Sequence, residues 1–294
     1  MTTPRAPMLA ALAAAALLVP GVAAADGPGG LLYERTLMVR ADARCRLFTP
    51  DIAAALSAAA AQARGATLRS GVNEAGVRQI EARAALKAYA VPCALPDLKV
   101  AADRVRKAFD GYAQLRDMSF PGTVSAWDTV RAPWPLVVKG KVRPGPRWRL
   151  SQHSGPLVFG MTAGPGLVAV TTAADAAQAS GARLVMRDPA RAQDAFINPR
   201  RADLQGRIPP RSVSQVFLAA SIGPAPESLS PAGAVAAVMV TFPPQAAQAM
   251  AALDPREGVS LELVFPTRTG ERVETSLIEV GDFAAGRAFL AAGR

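Results

Sequence analysis

Histidine is almost absent from this chain: His153 is the one in 294 residues, and cysteine occurs twice, at Cys45 and Cys93. A transition-metal site draws on several His or Cys ligands and a dithiol redox site on a C-x-x-C pair, so both are excluded as readings of the sequence. No G-x-S-x-G elbow is present, and no serine is followed three residues later by lysine, which removes the commonest serine-nucleophile motifs. The glycine-rich pieces at 27–30 and 160–166 match neither a P-loop nor a dinucleotide fingerprint and read as turns. No cofactor and no metal is implied. There is no repeat of fixed period and no charge block of the kind that marks a disordered tail. Beyond the first 25 residues no apolar run is long enough to cross a bilayer.

What is present begins at the N-terminus. Arg5 precedes an apolar run over residues 8–19, Pro20-Gly21 breaks it, and Val22-Ala23-Ala24-Ala25-Asp26 places small residues where a signal peptidase cuts. Residues 1–25 are therefore expected to be a cleavable signal peptide. The mature chain, from Asp26, is expected to be a soluble periplasmic or secreted protein with no membrane anchor. Cleavage leaves 32 basic residues against 23 acidic ones, about +9, and only five of the 32 are lysine. A basic exported chain associates with anionic neighbours, here an envelope polymer or lipid headgroups. Nothing points to specific nucleic-acid binding. In an oxidising compartment Cys45 and Cys93 read as a structural disulfide closing a loop of about fifty residues.

The pattern over residues 31–118 is helical. Leu37, Met38, Ala41, Cys45 and Phe48 recur at helical spacing, which turns Cys45 toward a core. Thr49-Pro50-Asp51 predicts a second helix to about residue 69, Asn73-Glu74 a third stopped by Pro92, and Pro96 a fourth. After Phe120-Pro121-Gly122 the period changes to two. Strands are expected at 137–142, 148–150, 157–162, 167–172, 182–186, 213–219, 235–242, 259–265 and 273–280, with helices at 244–253 and 283–292 and a hairpin turn at Thr269-Gly270. The expected fold is α+β: a helical domain at 26–120, bundled and stapled by the disulfide, a connector at 121–146, and a β-rich domain at 147–294. That last domain is expected to be a sandwich or open barrel closed by a C-terminal helix.

Between Asp128 and Asp175 there is no acidic residue, while Arg131, Lys139, Lys141, Arg143, Arg147 and Arg149 are basic and Trp134 and Trp148 lie among them. If 138–143 and 147–150 paired as strands across Pro144-Gly145-Pro146, then Lys139, Lys141, Arg143, Arg147 and Arg149 would share a face, with Trp148 nearby to stack on a sugar or base. That is the candidate anion-binding site. The competing reading is an ordinary solvated sheet face with Trp148 and Leu150 turned inward. His153 lacks a local nucleophile. Scattered carboxylates such as Asp175, Asp188, Asp194 and Glu227 leave open a hydrolase that works through a carboxylate pair.

Glu34-Arg35-Thr36-Leu37-Met38 with Ala41-Asp42-Ala43-Arg44-Cys45, then Ala63-Arg64-Gly65, Cys93, and the closing segment from Glu279-Val280-Gly281-Asp282-Phe283 to Phe289-Leu290 resemble a group of exported alphaproteobacterial proteins of unknown function. The resemblance covers most of the mature chain and implies export without implying an activity. The last fifty or so residues are also similar to the end of invasion-associated locus B proteins, small exported β-rich proteins, which implies a β-rich C-terminal half and assigns no site residue. The function expected from the sequence is a non-enzymatic binding or structural module for an anionic envelope component. The alternatives are a hydrolase of an envelope polymer and a periplasmic partner or inhibitor module.

Overall fold

The structure is a computed structural model that describes residues 27–131, 136–138, 141–143, 148–198, 200–234 and 236–291. The expected signal peptide lies outside the described residues.

Four helices come first: α1 (Pro28–Cys45), α2 (Pro50–Arg69), α3 (Glu74–Ala90) and α4 (Pro96–Ala108). Proline opens α1, α2 and α4, where its missing N–H is no loss. Asn73 caps α3 by accepting the Gly76 N–H at 2.9 Å, whereas the Thr49 side chain makes no capping bond to α2. Helix α1 stops at Arg46, held in the left-handed region (φ 52°), because Asp42 takes both exits: its carbonyl accepts the Arg46 N–H and its carboxylate the Phe48 N–H. The Cys45–Cys93 disulfide then ties the end of α1 to the turn between α3 and α4, as expected.

Helix α2 lies between α1 and the other half of the molecule. Ala55, Ala58, Ala59, Ala63 and Gly65 make its buried face narrow, so neighbours pack close to its backbone. One of those neighbours belongs to the other half. A methyl at Gly65 would lie 2.0 Å from the carboxylate of Asp282, so glycine is required for that approach.

The β half holds two open antiparallel sheets and a separate hairpin. The larger sheet runs β1 (Asp117–Phe120), β2 (Trp127–Val130), β5 (Leu150–Ser154), β6 (Leu157–Met161), β7 (Val168–Thr171), β11 (Val238–Thr241) and β10 (Ser221–Pro224) in spatial order. The smaller runs β13 (Gly270–Glu279), β12 (Gly258–Thr267), β8 (Gly181–Arg187) and β9 (Ser214–Leu218). Helices α5 (Pro244–Ala251) and α6 (Phe283–Ala291) complete the fold. Leu150, Phe159, Ala169 and Val240 of the first sheet meet Leu184, Met186, Leu261 and Leu263 of the second in one core. Aromatic rings close its end: Trp127 lies 5.0 Å from Phe283, and Phe289 sits edge-on to both Tyr112 and Phe120. Each fully buried Leu, Val, Met or Phe among these contributes roughly 1.5–3 kcal/mol through removal of apolar surface from water.

Three departures from the expected layout matter. Strands β1 and β2 occupy residues read as the end of the helical domain and as connector; they are four residues each, too short for alternation to be legible, and they join the large sheet. The single strand expected at 137–142 is instead a hairpin in which β3 (Leu136–Val138) pairs with β4 (Lys141–Arg143). The segment between β1 and β2 is not a free linker either. The N–H groups of Thr123, Val124 and Ser125 donate to the buried Glu279 carboxylate at 2.6, 2.7 and 2.8 Å, and a methyl at Gly122 would lie 2.5 Å from it. The loop folds around a charge.

Candidate functional site

Of the six residues expected to bind an anion, the structure describes the side chains of Trp148 and Arg149. Lys139 and Arg147 lie outside the described residues. Lys141 and Arg143 are placed by backbone on β4, whose partner is β3 and not residues 147–150. Leu150 instead opens β5, between β2 and β6. Trp148 is half-buried against Val168, Val170 and Leu229, and its indole N–H donates to the Leu229 carbonyl at 3.2 Å. Arg149 is half-buried and donates through Nε to the Val130 carbonyl at 3.1 Å. Arg131, counted in the same basic stretch, is buried: its guanidinium lies 3.8 Å from the Phe289 ring centre and 4.9 Å from that of Tyr112, and donates to the carbonyls of Phe289, Tyr112 and Leu115. Burial lowers its pKa, and burial also pushes the Tyr112 phenol up to about 12.

The carboxylates are engaged. Of those named from the sequence, Asp175 pairs with Arg272 and Asp188 with Arg191, while Asp194 and Glu227 are exposed. The buried ones, Glu74, Asp254, Glu257, Glu262, Glu279 and Asp282, carry no local motif. Arg187, 2% exposed at the end of β8, holds both oxygens of Glu257 at 2.7 and 2.9 Å and reaches Glu74, the first residue of α3, at 3.4 Å. Arg64 of α2 holds Glu74 from the other side at 3.3 Å. Arg69 clamps Asp282 bidentately at 2.7 and 2.9 Å. Burial raises the pKa of Glu257 and of Asp282 despite these partners. Burial alone would lower Arg187, but its hydrogen bonds and charge pairing with Glu257 carry it above the ordinary guanidinium value. These clusters clamp the helical half to the sheets.

His153 is exposed on β5, and no hydrogen bond or ion pair joins it to a serine or carboxylate among the described residues. Among the described residues no group of three His, Cys, Asp or Glu is arranged to hold a metal ion. A groove of about 880 Å³ runs between Ser180–Arg183 of the smaller sheet and Ile222–Pro224 of the larger, but the two charged side chains in its wall, Arg183 and Glu271, pair with each other at 2.6 Å.

A basic and aromatic surface lies on the helices. Residues 28–108 hold thirteen Arg and Lys against seven Asp and Glu, a balance of +6. Between α1 and α3 is a groove of about 440 Å³ lined by Arg40, Ala43, Arg44, Ala85, Ala88 and Tyr89, with no acidic residue among its described lining residues. Tyr89 is 79% exposed and Leu86 73%, and Arg83 and Lys87 are exposed on the same helix. Arg44 stands over the Tyr89 ring at 5.9 Å and donates to the carbonyls of Tyr89 and Val91, capping the C-terminal end of α3. Arg40 and Arg44 are four residues apart, as are Arg83 and Lys87, a like-charge spacing that costs an isolated helix a few tenths of a kcal/mol. That spacing was the available sequence signal for this surface.

Among the described residues no helix is long and apolar enough to cross a membrane. Comparison with protein-family models, with curated proteins and with solved structures finds no match to this chain.

Proposed function

We propose that this chain is an exported, non-enzymatic protein that docks on the anionic lipid surface of the cell envelope through the α1–α3 face. The observation that carries the reading is the groove lined by Arg40, Arg44 and Tyr89, with no acid among its described lining residues and with the exposed Leu86 on the neighbouring surface of α3. A tyrosine ring with a leucine beside it is suited to the headgroup level of a bilayer, and each nearby cation adds about 1 kcal/mol of attraction to an anionic leaflet. Export is supported by the leader features from Arg5 to Asp26 and by the Cys45–Cys93 disulfide, which persists in an oxidising compartment. Engagement of the buried carboxylates by arginines and backbone N–H groups favours binding over hydrolysis.

Flotation with phosphatidylglycerol vesicles is expected to carry the protein, less so as salt rises, and pure phosphatidylcholine vesicles are expected to leave it behind. Arg40→Glu with Lys87→Glu should cut partition at least about tenfold, since two charge reversals remove several kcal/mol of surface attraction. Equal flotation on neutral lipid, or a double variant that floats like the parent, refutes docking through this face. Retention on peptidoglycan in place of vesicles would transfer the role to an acidic polymer. Lys139→Glu, Lys141→Glu and Arg143→Glu together then report whether the stretch before β5 contributes.

A further inference from the structure

A second cationic site lies in the β half, away from the helical face. Helix α6, the end of α5 and the loop after β6 line an open cavity of about 450 Å³ whose walls include the polar Arg149, Arg287 and Thr162 and the apolar Met161, Leu290 and Ala288. That volume falls in the lower range for small-molecule pockets. No acidic side chain is among its described lining residues. Arg287 is half-buried and makes no ion pair among the described residues; its Nη1 donates to the Ala247 carbonyl at 2.9 Å, and Nε and Nη2 have no hydrogen-bond partner there. A guanidinium in this state has lost part of its hydration without gaining a counter-charge, in keeping with a pKa that burial lowers. Arg149, which also donates to the Val130 carbonyl, brings a second positive charge to the lining of the same cavity.

We propose that this cavity binds a small organic carboxylate with an aliphatic body, the carboxylate facing Arg287 and Arg149 and the chain lying against Met161, Leu290 and the alanines of α6. A planar carboxylate matches the two-pronged donor geometry of a guanidinium, and the apolar walls give the rest of the ligand a place to leave water. The site does not depend on the α1–α3 face and would stand if that face bound nothing.

Titration calorimetry on the purified full chain with octanoate, acetate, inorganic phosphate and neutral octanol separates the contributions. Octanoate is expected to bind in the low millimolar range or better, and acetate, phosphate and octanol each at least about tenfold more weakly. Arg287→Gln should abolish octanoate binding. Because that side chain also holds the Ala247 carbonyl, Ala288→Leu provides a second probe that fills the cavity with both arginines in place, and it too should abolish binding. Neither variant should change vesicle flotation. No octanoate binding by the parent chain overturns the proposal, as does binding that survives both variants. Octanol binding as tightly as octanoate removes the role of charge, and acetate or phosphate doing so removes the role of the aliphatic body.

Discussion

The outer face of the helices and the core of the β half hold their arginines in opposite states. On the helices Arg40, Arg83 and their neighbours stand in solvent, and the interior is made of alanine, leucine and valine in small clusters around Met38 and Leu32. In the β half Arg187 and Arg131 lie inside, one clamped to carboxylates and the other packed on the Phe289 and Tyr112 rings, within a core that runs continuously through both sheets. The formal charge counts these arginines alike. Their energetics differ: a solvated cation is screened and available to a partner, whereas a buried one is desolvated and committed to its internal contacts. Net charge therefore announces an anion-binding surface only after the internal pairs are subtracted.

The sharpest way to break this contrast is Arg187→Met. It leaves Glu257 buried without its main partner and releases Glu74 at the start of α3, so a loss of about 3–5 kcal/mol in urea unfolding is expected. Adding Glu257→Leu should recover much of that loss, and a double variant as unstable as the single one would show that the pair is not what Arg187 contributes. Reduction of Cys45–Cys93 acts on the other half. On the chain-entropy model a bridge across 48 residues is worth up to about 4 kcal/mol, so the melting temperature should fall on reduction, and an unchanged melt would mean that helix packing alone sets the stability of that half.

The smallest effect concerns the Arg69–Asp282 clamp between the halves. Burial raises the folded-state pKa of Asp282 above 3.8, its unperturbed value. The folded state thus binds the proton more tightly than the unfolded chain, and the stability linked to this group grows as pH falls from the raised value through 3.8 and is absent at neutral pH. Relative to Asp282→Asn, the parent protein should gain stability between pH 7 and pH 4 in parallel urea titrations. A gap that stays constant with pH would mean that Asp282 titrates alike in the folded and unfolded chain, and one that moves against the parent toward pH 4 would mean that Arg69 holds it ionised.

Much of the helical half was legible because its signals are local. Thr49-Pro50-Asp51, Asn73, Pro92 and Pro96 mark boundaries within a residue or two of those found, and the hairpin at Thr269-Gly270 is where expected. Strands β1 and β2 were not legible, because four residues carry too little periodicity and β2 meets its second partner, β5, only some twenty residues later. Nor was the site. The basic stretch from Arg131 to Arg149 reads as one surface in the sequence, yet Arg131 turns into the aromatic core and Arg149 borders a cavity completed by α6, about 140 residues away in the chain.

By itself the sequence determined the helices and their caps, the cysteine pairing, most strands of the β half and the excess of positive charge, since each follows from neighbouring residues or from composition. Only the tertiary structure decided which arginines are internal, that Glu279 organises the loop after β1, and that Arg149 and Arg287 share a cavity. Those outcomes depend on contacts between distant residues and on the cost of removing charge from water, and neither quantity is written in local spacing.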